Sequence, residues 1–280
     1  MLLPRVITAV VLLLVLLPAM FYPAPLPFAL VTGVLMAAAV WEWSRLHGLG
    51  TLASVGSALL VGFVLGVAWW HTGGHAGSAP WWWAVSAAWG LVLAVSLRQG
   101  VDAWGRWPRW PRLGFGWLTL AAAWWALVSL HTHGVGMLLS ALLLVWVADI
   151  AAYFGGKAFG RRKLAPRISP GKSWEGAASG ALAVLVLALG WTAVAAVWPP
   201  AGAALYPWLA AQGVGLALPA LLVLTAASIA GDLFESLVKR SAGVKDSSGL
   251  LPGHGGVLDR VDALLPVLPL VMALLMSRPA

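Results

Sequence analysis

The sequence predicts an all-α polytopic integral membrane protein with about nine transmembrane helices and its polar loops on the cytoplasmic side. Apolar residues make up 61% of the chain, charged residues only 9%, and the mean hydropathy is +0.90. These values exclude a soluble globular domain. Apolar runs long enough to cross a bilayer recur along the chain without an intervening linker or internal repeat, so residues 1–280 are interpreted as one membrane domain.

Apolar runs of about 17 to 25 residues define the spans in chain order. The first run follows Arg5 and is short, so a signal-peptide core is the alternative there, although no clean cleavage site follows it. The last run is also short and contains proline. The nine spans are residues 6–22, 26–42, 51–70, 81–97, 114–130, 135–154, 176–198, 209–231 and 261–277.

Basic residues support an arrangement in which the spans alternate from a cytoplasmic N-terminus. Sixteen of the 17 Lys and Arg residues then fall on the cytoplasmic side, and Arg278 alone falls on the other. Because basic residues near span ends stay cytoplasmic, we expect a multi-pass protein of the inner (cytoplasmic) membrane with its polar motifs facing the cytoplasm. The sixteen are Arg5, Arg45, Arg98, Arg106, Arg109, Arg112, Lys157, Arg161, Arg162, Lys163, Arg167, Lys172, Lys239, Arg240, Lys245 and Arg260.

The loop between the fourth and fifth spans repeats tryptophan, arginine and proline at intervals of three residues. Its sequence, WGRWPRWPR over residues 104–112, matches the three-residue turn of a polyproline II helix. Such a ribbon would place tryptophans on one edge among acyl chains and arginines on another edge against anionic head groups. An ordinary positively charged stop-transfer loop is the alternative.

The acidic residues are concentrated in the second half of the chain, where seven of nine lie between Asp149 and Asp262. Asp149 lies inside an apolar run, where a carboxylate costs roughly 2.5 to 3.5 kcal/mol near the middle of a membrane helix. We therefore expect it to face a wet cavity or a charged partner.

Four polar residues near the end of the eighth span share one face if the helix continues, namely Asp232, Glu235, Ser236 and Lys239. Asp259 follows the turn PGHGG and begins the last apolar run. Asp232 and Asp259 are the favoured ligands of Mg²⁺, because oxygen ligands without cysteine or clustered histidine suit Mg²⁺ bound jointly with phosphates.

Basic and hydroxyl side chains beside these carboxylates are suited to phosphate groups. In the basic loop of residues 155–176, Ser169, Lys172 and Ser173 can donate to phosphate oxygens. A P-loop is excluded there, because Pro166 stands where that motif needs glycine. The second polar segment adds Lys239, Arg240, Lys245 and Arg260 as phosphate-facing cations, with Asp246, His254, Gly255 and Gly256 as further substrate-binding candidates. For His254, donation to a phosphate and stabilisation of the turn both stay open.

The segment of residues 236–262, SLVKRSAGVKDSSGLLPGHGGVLDRVD, resembles the pattern of the phosphatidate cytidylyltransferase (CDP-diacylglycerol synthase) family at every defined position. DIAAYFGGKAFG and LAPRISPGKSWEG, between residues 149 and 176, are similar to that family's other characteristic loop. The two motifs cover about a fifth of the chain, and the first 130 residues resemble the family only in hydropathy. Ile150 stands where family members commonly have a small hydroxyl residue.

The resemblance implies that CTP and phosphatidate react to give CDP-diacylglycerol and pyrophosphate for phospholipid biosynthesis. It implies Mg²⁺ on Asp232 and Asp259, with Asp149 as a weaker candidate ligand and a second cation left open. A bilayer is the expected partner and nucleic acid is not, while the choice between a monomer and a homodimer stays open.

Three other functions remain as alternatives. A CTP-dependent lipid-alcohol kinase would use the same nucleotide and metal but transfer the γ-phosphoryl group. A transporter would use Asp149 and Asp232 as ion ligands, although an inverted repeat is missing from the sequence. A catalytically silent membrane scaffold would not need every polar position of the motifs.

Overall fold

A computed structural model of the chain describes residues 2–74 and 77–277, and these residues are mostly α-helical. Arg278, the basic residue assigned to the outer side, lies outside the described residues. The helices are α1 (Leu2–Phe21), α2 (Pro25–Leu46), α3 (Thr51–Thr72), α4 (Ala79–Gln99), α5 (Val101–Arg106), α6 (Arg109–Thr132), α7 (Val135–Phe159), α8 (Trp174–Val197), α9 (Leu205–Ala211), α10 (Val214–Ser241), α11 (Leu258–Val261) and α12 (Leu264–Ser277). The strands are β1 (Lys163–Ala165) and β2 (Ser169–Ser173), and a 3₁₀ turn covers Pro199–Gly202.

The predicted all-α membrane architecture is confirmed. Over the described residues, seven helices are long and apolar enough to cross a membrane, namely α2, α3, α4, α6, α7, α8 and α10. The first and last predicted spans lie on shorter apolar helices, Arg5–Phe21 within α1 and Leu264–Ser277, so the number nine stays a prediction. Large apolar side chains such as Val34 and Leu59 are about 70% exposed, as expected for surfaces that contact lipid.

The polyproline II prediction for residues 104–112 is wrong. Helices α5 and α6 occupy most of this segment, and only Trp107 and Pro108 between them have extended backbone angles. Pro111 is tolerated because it lies in the first turn of α6, where backbone N–H groups have no partner within the helix. Trp104 is 1% exposed, so it does not line an edge among acyl chains.

Helix α12 lies at the centre of the bundle. It packs against α4, α6 and α10, and nearly all of its residues from Leu264 to Ala273 are buried. The short helix α11 immediately precedes it and contacts α2. This packing fixes Asp259 and Asp262 at the end of the bundle where α10 also ends.

Helices α7 and α8 approach closely because small residues lie at their interface. A Cβ atom on Gly180 would be 2.8 Å from the carbonyl oxygen of Ala148, and one on Gly176 would be 2.7 Å from that of Ala152. Small residues of this kind let helix backbones pack tightly within a bilayer. The close contact brings the connection between α7 and α8 over the end of the bundle.

That connection is an antiparallel hairpin, which the sequence analysis treated only as a basic loop. Lys163 pairs with Ser173 across the two strands. Glu175, in the first turn of α8, closes the hairpin by accepting hydrogen bonds from the backbone N–H groups of Arg161 and Arg162, each at 3.1 Å. The hairpin adds two short strands to the predicted helical fold and places β2 beside α7, α8 and α10.

Candidate active site

Residues from α7, the two hairpin strands, the start of α8 and α10 line a cavity of about 540 Å³. Five of the predicted site residues line it, namely Asp149, Ser169, Lys172, Ser173 and Asp232. The Nζ atom of Lys172 lies 2.6 Å from Oδ2 of Asp232. The prediction that Asp149 faces a cavity is confirmed, and the structure brings it together with a second carboxylate and a cation.

Ser173 connects the hairpin to α8. Its Oγ accepts a hydrogen bond of 3.1 Å from the backbone N–H of Gly176, so it caps the helix, and its side chain is buried. The hydroxyl proton is left available for an acceptor in the cavity. The cap therefore fixes a hydroxyl donor beside Lys172.

Helix α10 continues unbroken past the membrane span, which confirms that Asp232, Glu235, Ser236 and Lys239 share one face. Ser236 Oγ lies 3.5 Å from Oδ1 of Asp232, and Lys239 forms an ion pair with Glu235. Asp232 and Lys239 are seven residues apart, so about 10 Å of helix rise separates them. The polar end of the bundle thus has two parts, the cavity around Asp232 and a second cluster around Lys239.

Asp259 is the centre of the second cluster. Its Oδ1 lies 2.5 Å from Nζ of Lys239, and its Oδ2 accepts from Ser247 N at 2.9 Å, Ser247 Oγ at 2.8 Å and Gly256 N at 2.7 Å. Burial alone would raise the pKa of Asp259, but the hydrogen bonds from Lys239 and the two backbone N–H groups lower it to about 2. Asp259 is therefore a carboxylate that connects residues 247–258, called here the glycine-rich loop, to α10.

Asp262 lies at the junction of α11 and α12. Its Oδ1 accepts a hydrogen bond of 2.7 Å from the backbone N–H of Ala263. A Cβ atom on Gly231, the residue before Asp232, would be 2.7 Å from the carbonyl oxygen of Asp262. The start of α12 therefore packs closely against α10 beside Asp232.

Gly255 and Gly256 allow the close backbone approach that the sequence predicts. Gly255 has φ +82°, a left-handed conformation that favours glycine, and a Cβ atom there would be 2.7 Å from Oδ2 of Asp259. A Cβ atom on Gly256 would be 2.0 Å from Ser247 Oγ and 2.4 Å from Glu42 Oε1. The approach is to the protein's own polar groups, and substrate binding by these glycines stays a prediction.

The remaining predicted residues lie on the outside of the loop. Arg240, Lys245 and Asp246 are exposed, and Arg240 Nη1 donates to a backbone carbonyl at 3.2 Å. Arg260 donates to the carbonyl oxygen of His254 through Nε at 3.1 Å and Nη2 at 2.6 Å. Among the described residues, the buried Nδ1 of His254 finds no hydrogen-bond partner. Both interpretations of His254 therefore stay open, since its backbone stabilises the turn while a ring nitrogen is unused.

Glu42 is a site residue that the sequence motifs do not include. This residue of α2 has 0% exposure, and its carboxylate accepts hydrogen bonds from the loop that Asp259 also holds. The hydropathy pattern predicts it only as the last residue of the span of residues 26–42. The available signal was its position after the apolar run AAAVW, because a carboxylate there needs partners for the same reason as Asp149.

A helical membrane bundle whose polar end combines paired carboxylates, ammonium groups and a glycine-rich loop defines a membrane-embedded enzyme acting on phosphate compounds. Residues 3–277 match the model of the Cytidylyltransferase family, and the chain belongs to that family.

Curated relatives support this membership over nearly the whole chain. The phosphatidate cytidylyltransferase of Pseudomonas aeruginosa is 43% identical over 282 residues, which cover 98% of this chain and 97% of the relative. That of Haemophilus influenzae is 35% identical and covers 96% of each chain. That of Bacillus subtilis is 39% identical over 168 residues, 57% of this chain and 58% of its own. The family resemblance drawn from the two motifs is therefore confirmed. The match also extends over the first 130 residues, for which the sequence alone indicated a likeness only in hydropathy.

Proposed function

We propose that this enzyme transfers the cytidylyl group of CTP to phosphatidate, giving CDP-diacylglycerol and pyrophosphate for phospholipid biosynthesis. The family match and the names of the relatives support the reaction. The observation that carries it in the structure is the cavity in which Asp149, Asp232 and Lys172 meet at the polar end of a membrane bundle.

The proposed step is the attack of a phosphate oxygen of phosphatidate on the α-phosphorus of CTP. A new oxygen–phosphorus bond forms, the bond from the α-phosphorus to the oxygen bridging to the β-phosphorus breaks, and pyrophosphate leaves. The lipid phosphate is already an anionic nucleophile at neutral pH, so catalysis can consist of positioning and charge neutralisation. Lys172 and the hydroxyl of Ser173 would donate to phosphate oxygens in the cavity, with Ser169 beside them.

We propose Mg²⁺ as the cofactor, with Asp232 as its main protein ligand and Asp149 as a weaker one. Over the described residues, no group of three or more His, Cys, Asp or Glu side chains could hold a metal ion alone. That fits Mg²⁺, which proteins commonly bind through one or two carboxylates together with water and substrate phosphates. When bound, the ion would neutralise the charge of the phosphate groups.

The sequence also predicts Asp259 as a ligand, and this stays a prediction. Both of its oxygens already accept hydrogen bonds, so direct ligation would require Lys239 or a loop donor to move. For Asp232, ligation through Oδ2 would require only that Lys172 move, for example to a substrate phosphate. The exposed cations Arg240, Lys245 and Arg260 are proposed to bind the triphosphate. A homodimer stays a prediction as well.

The position of the transferred phosphorus tests the reaction. CTP labelled at the α-phosphate should carry its label into the lipid fraction of membranes supplied with Mg²⁺ and phosphatidate, while label from the γ-phosphate should appear in water-soluble pyrophosphate. Appearance of γ-label in lipid would overturn the assignment in favour of a CTP-dependent lipid-alcohol kinase.

We further propose that the site faces the cytoplasm from the inner membrane. Cysteine at Gly171 or Gly249 should react with a membrane-impermeant thiol reagent only from the inside, because both positions belong to the polar end. Both are exposed, and a side chain there meets nothing within 4 Å. The chain has no native cysteine, so no background labelling is expected.

Gly202, equally open and between α8 and α10, serves as the matched control that should label from the outside. Labelling of the Gly171 and Gly249 variants from the outside would mean that the predicted topology is inverted.

A further inference from the structure

Four hydrogen-bond donors connect the buried carboxylate of Glu42 to the glycine-rich loop. Oε1 accepts from Ser248 Oγ at 2.5 Å and Val257 N at 2.9 Å, and Oε2 accepts from Leu258 N at 2.7 Å and Ser247 Oγ at 3.2 Å. The donors come from both ends of the loop and from the start of α11. Glu42 therefore closes this loop across its two ends.

Oε1 of Glu42 accepts two hydrogen bonds, and Oε2 accepts one from Leu258 N and shares the single hydroxyl proton of Ser247 with Oδ2 of Asp259. A carboxamide of the same size would present an NH₂ group, which cannot accept, to two of these donors. Two of the donors are the backbone N–H groups of Val257 and Leu258. Both residues are buried, so water cannot replace the carboxylate as the acceptor of these hydrogen bonds. The arrangement therefore specifies an acidic residue at position 42.

The same loop carries the groups that hold Asp259. Ser247 Oγ lies between the two carboxylates, 2.8 Å from Oδ2 of Asp259 and 3.2 Å from Oε2 of Glu42. Gly256 donates its N–H to Asp259, while the next two residues, Val257 and Leu258, donate theirs to Glu42. Consecutive backbone donors are thus divided between the two carboxylates, and a shift of Glu42 would move the partners of Asp259.

We infer that Glu42 is a positioning residue for the transfer reaction, which sets the geometry of residues 247–258 and through them the orientation of Asp259 and Lys239. This inference rests on the proposed function. Among the described residues, none of the hydrogen-bond partners of the Glu42 carboxylate lines the cavity, so Glu42 acts through the loop. It also gives the first half of the chain a part in the site, which the two sequence motifs do not include.

The test compares Glu42→Gln with the unchanged protein in lipid nanodiscs. We expect kcat per folded molecule to fall about 10- to 100-fold, because small displacements of catalytic groups have effects of this size. We also expect faster hydrogen–deuterium exchange of backbone amides in residues 247–258. Glu42→Asp keeps the acceptor oxygens on a shorter side chain, so it should retain more activity than Glu42→Gln.

The matched control is Ser140→Ala. Ser140 is also fully buried and accepts from Leu205 N at 2.9 Å, but it lies on α7 at the end away from the motif loops. Its loss should lower the unfolding temperature while kcat per folded molecule stays within about two-fold and exchange in residues 247–258 is unchanged.

Three results would overturn the inference: unchanged kcat in Glu42→Gln, a fall in kcat without faster exchange in residues 247–258, or an equal fall in Ser140→Ala. If Glu42→Gln does not fold, Ser248→Ala removes one donor to the carboxylate and should give the same two changes at smaller size. Failure of the unchanged protein to consume CTP with phosphatidate would count against the proposed function instead, since exchange reports on the loop without turnover.

Discussion

Replacement of Asp232 by asparagine should lower turnover of CTP with phosphatidate by at least about a hundred-fold. The carboxamide has the same size, but it removes the charge that faces Lys172 at 2.6 Å and weakens the proposed hold on Mg²⁺. The Mg²⁺ concentration needed for half-maximal rate should therefore rise. Asp149→Asn should have a milder effect, because Asp149 is the weaker candidate ligand.

Asp102→Asn is the matched control for this measurement. Asp102 is an exposed carboxylate of α5 outside the cavity, so its replacement should leave turnover within about two-fold. Turnover of Asp232→Asn near that of the unchanged protein, with the protein still extracted in folded form, would place the metal elsewhere.

Replacement of Lys239 by methionine should destabilise the folded protein by about 3 to 5 kcal/mol and abolish most activity. Lys239 is the cation between Glu235 and Asp259, whose side chains are only 3% and 6% exposed. Its loss leaves buried carboxylates without their counter-charge. Unfolding temperature and kcat per folded molecule, measured on the same preparation, report the two effects separately.

The double variant Glu235→Gln with Lys239→Met separates charge balance from catalysis. It removes a carboxylate together with the cation, and Asp259 keeps its bonds to Ser247 and Gly256. Stability should recover in part while turnover stays low. Full recovery of turnover would mean that Lys239 serves only to balance charge.

The sequence allowed the membrane helices and the shared face of α10 to be predicted, because both depend on residues near one another in the chain. Asp232 and Lys239 face the same side through helical periodicity alone. The hairpin of residues 163–173 was missed because its pairing depends on the close contact of α7 with α8. The three-residue period of residues 104–112 led to a wrong prediction of a polyproline II helix. Proline is also tolerated in the first turn of an α-helix, so the period does not distinguish the two structures.

The sequence predicts which residues belong to the candidate site. It does not predict that they separate into a cavity around Asp232 and a second cluster around Asp259. The separate surroundings of Asp232 and Asp259, one beside a cavity and one saturated by loop donors, are set by packing that no local pattern records. Glu42 is the clearest case. Its partners are 205 to 216 residues later in the chain. The hydropathy of an apolar run does not indicate which distant residues its side chains contact.

The distance in sequence between Glu42 and its donors has a consequence for biosynthesis. During synthesis α2 enters the membrane with a carboxylate whose partners have not yet been made, and an unpaired buried acceptor of this kind is unfavourable by about 1 to 3 kcal/mol. Only when residues 247–258 emerge does the second helix gain its final contacts. A chain that ends before residue 247 therefore keeps in its second helix a carboxylate without these donors, and we expect it to be less stable in the membrane than the full chain.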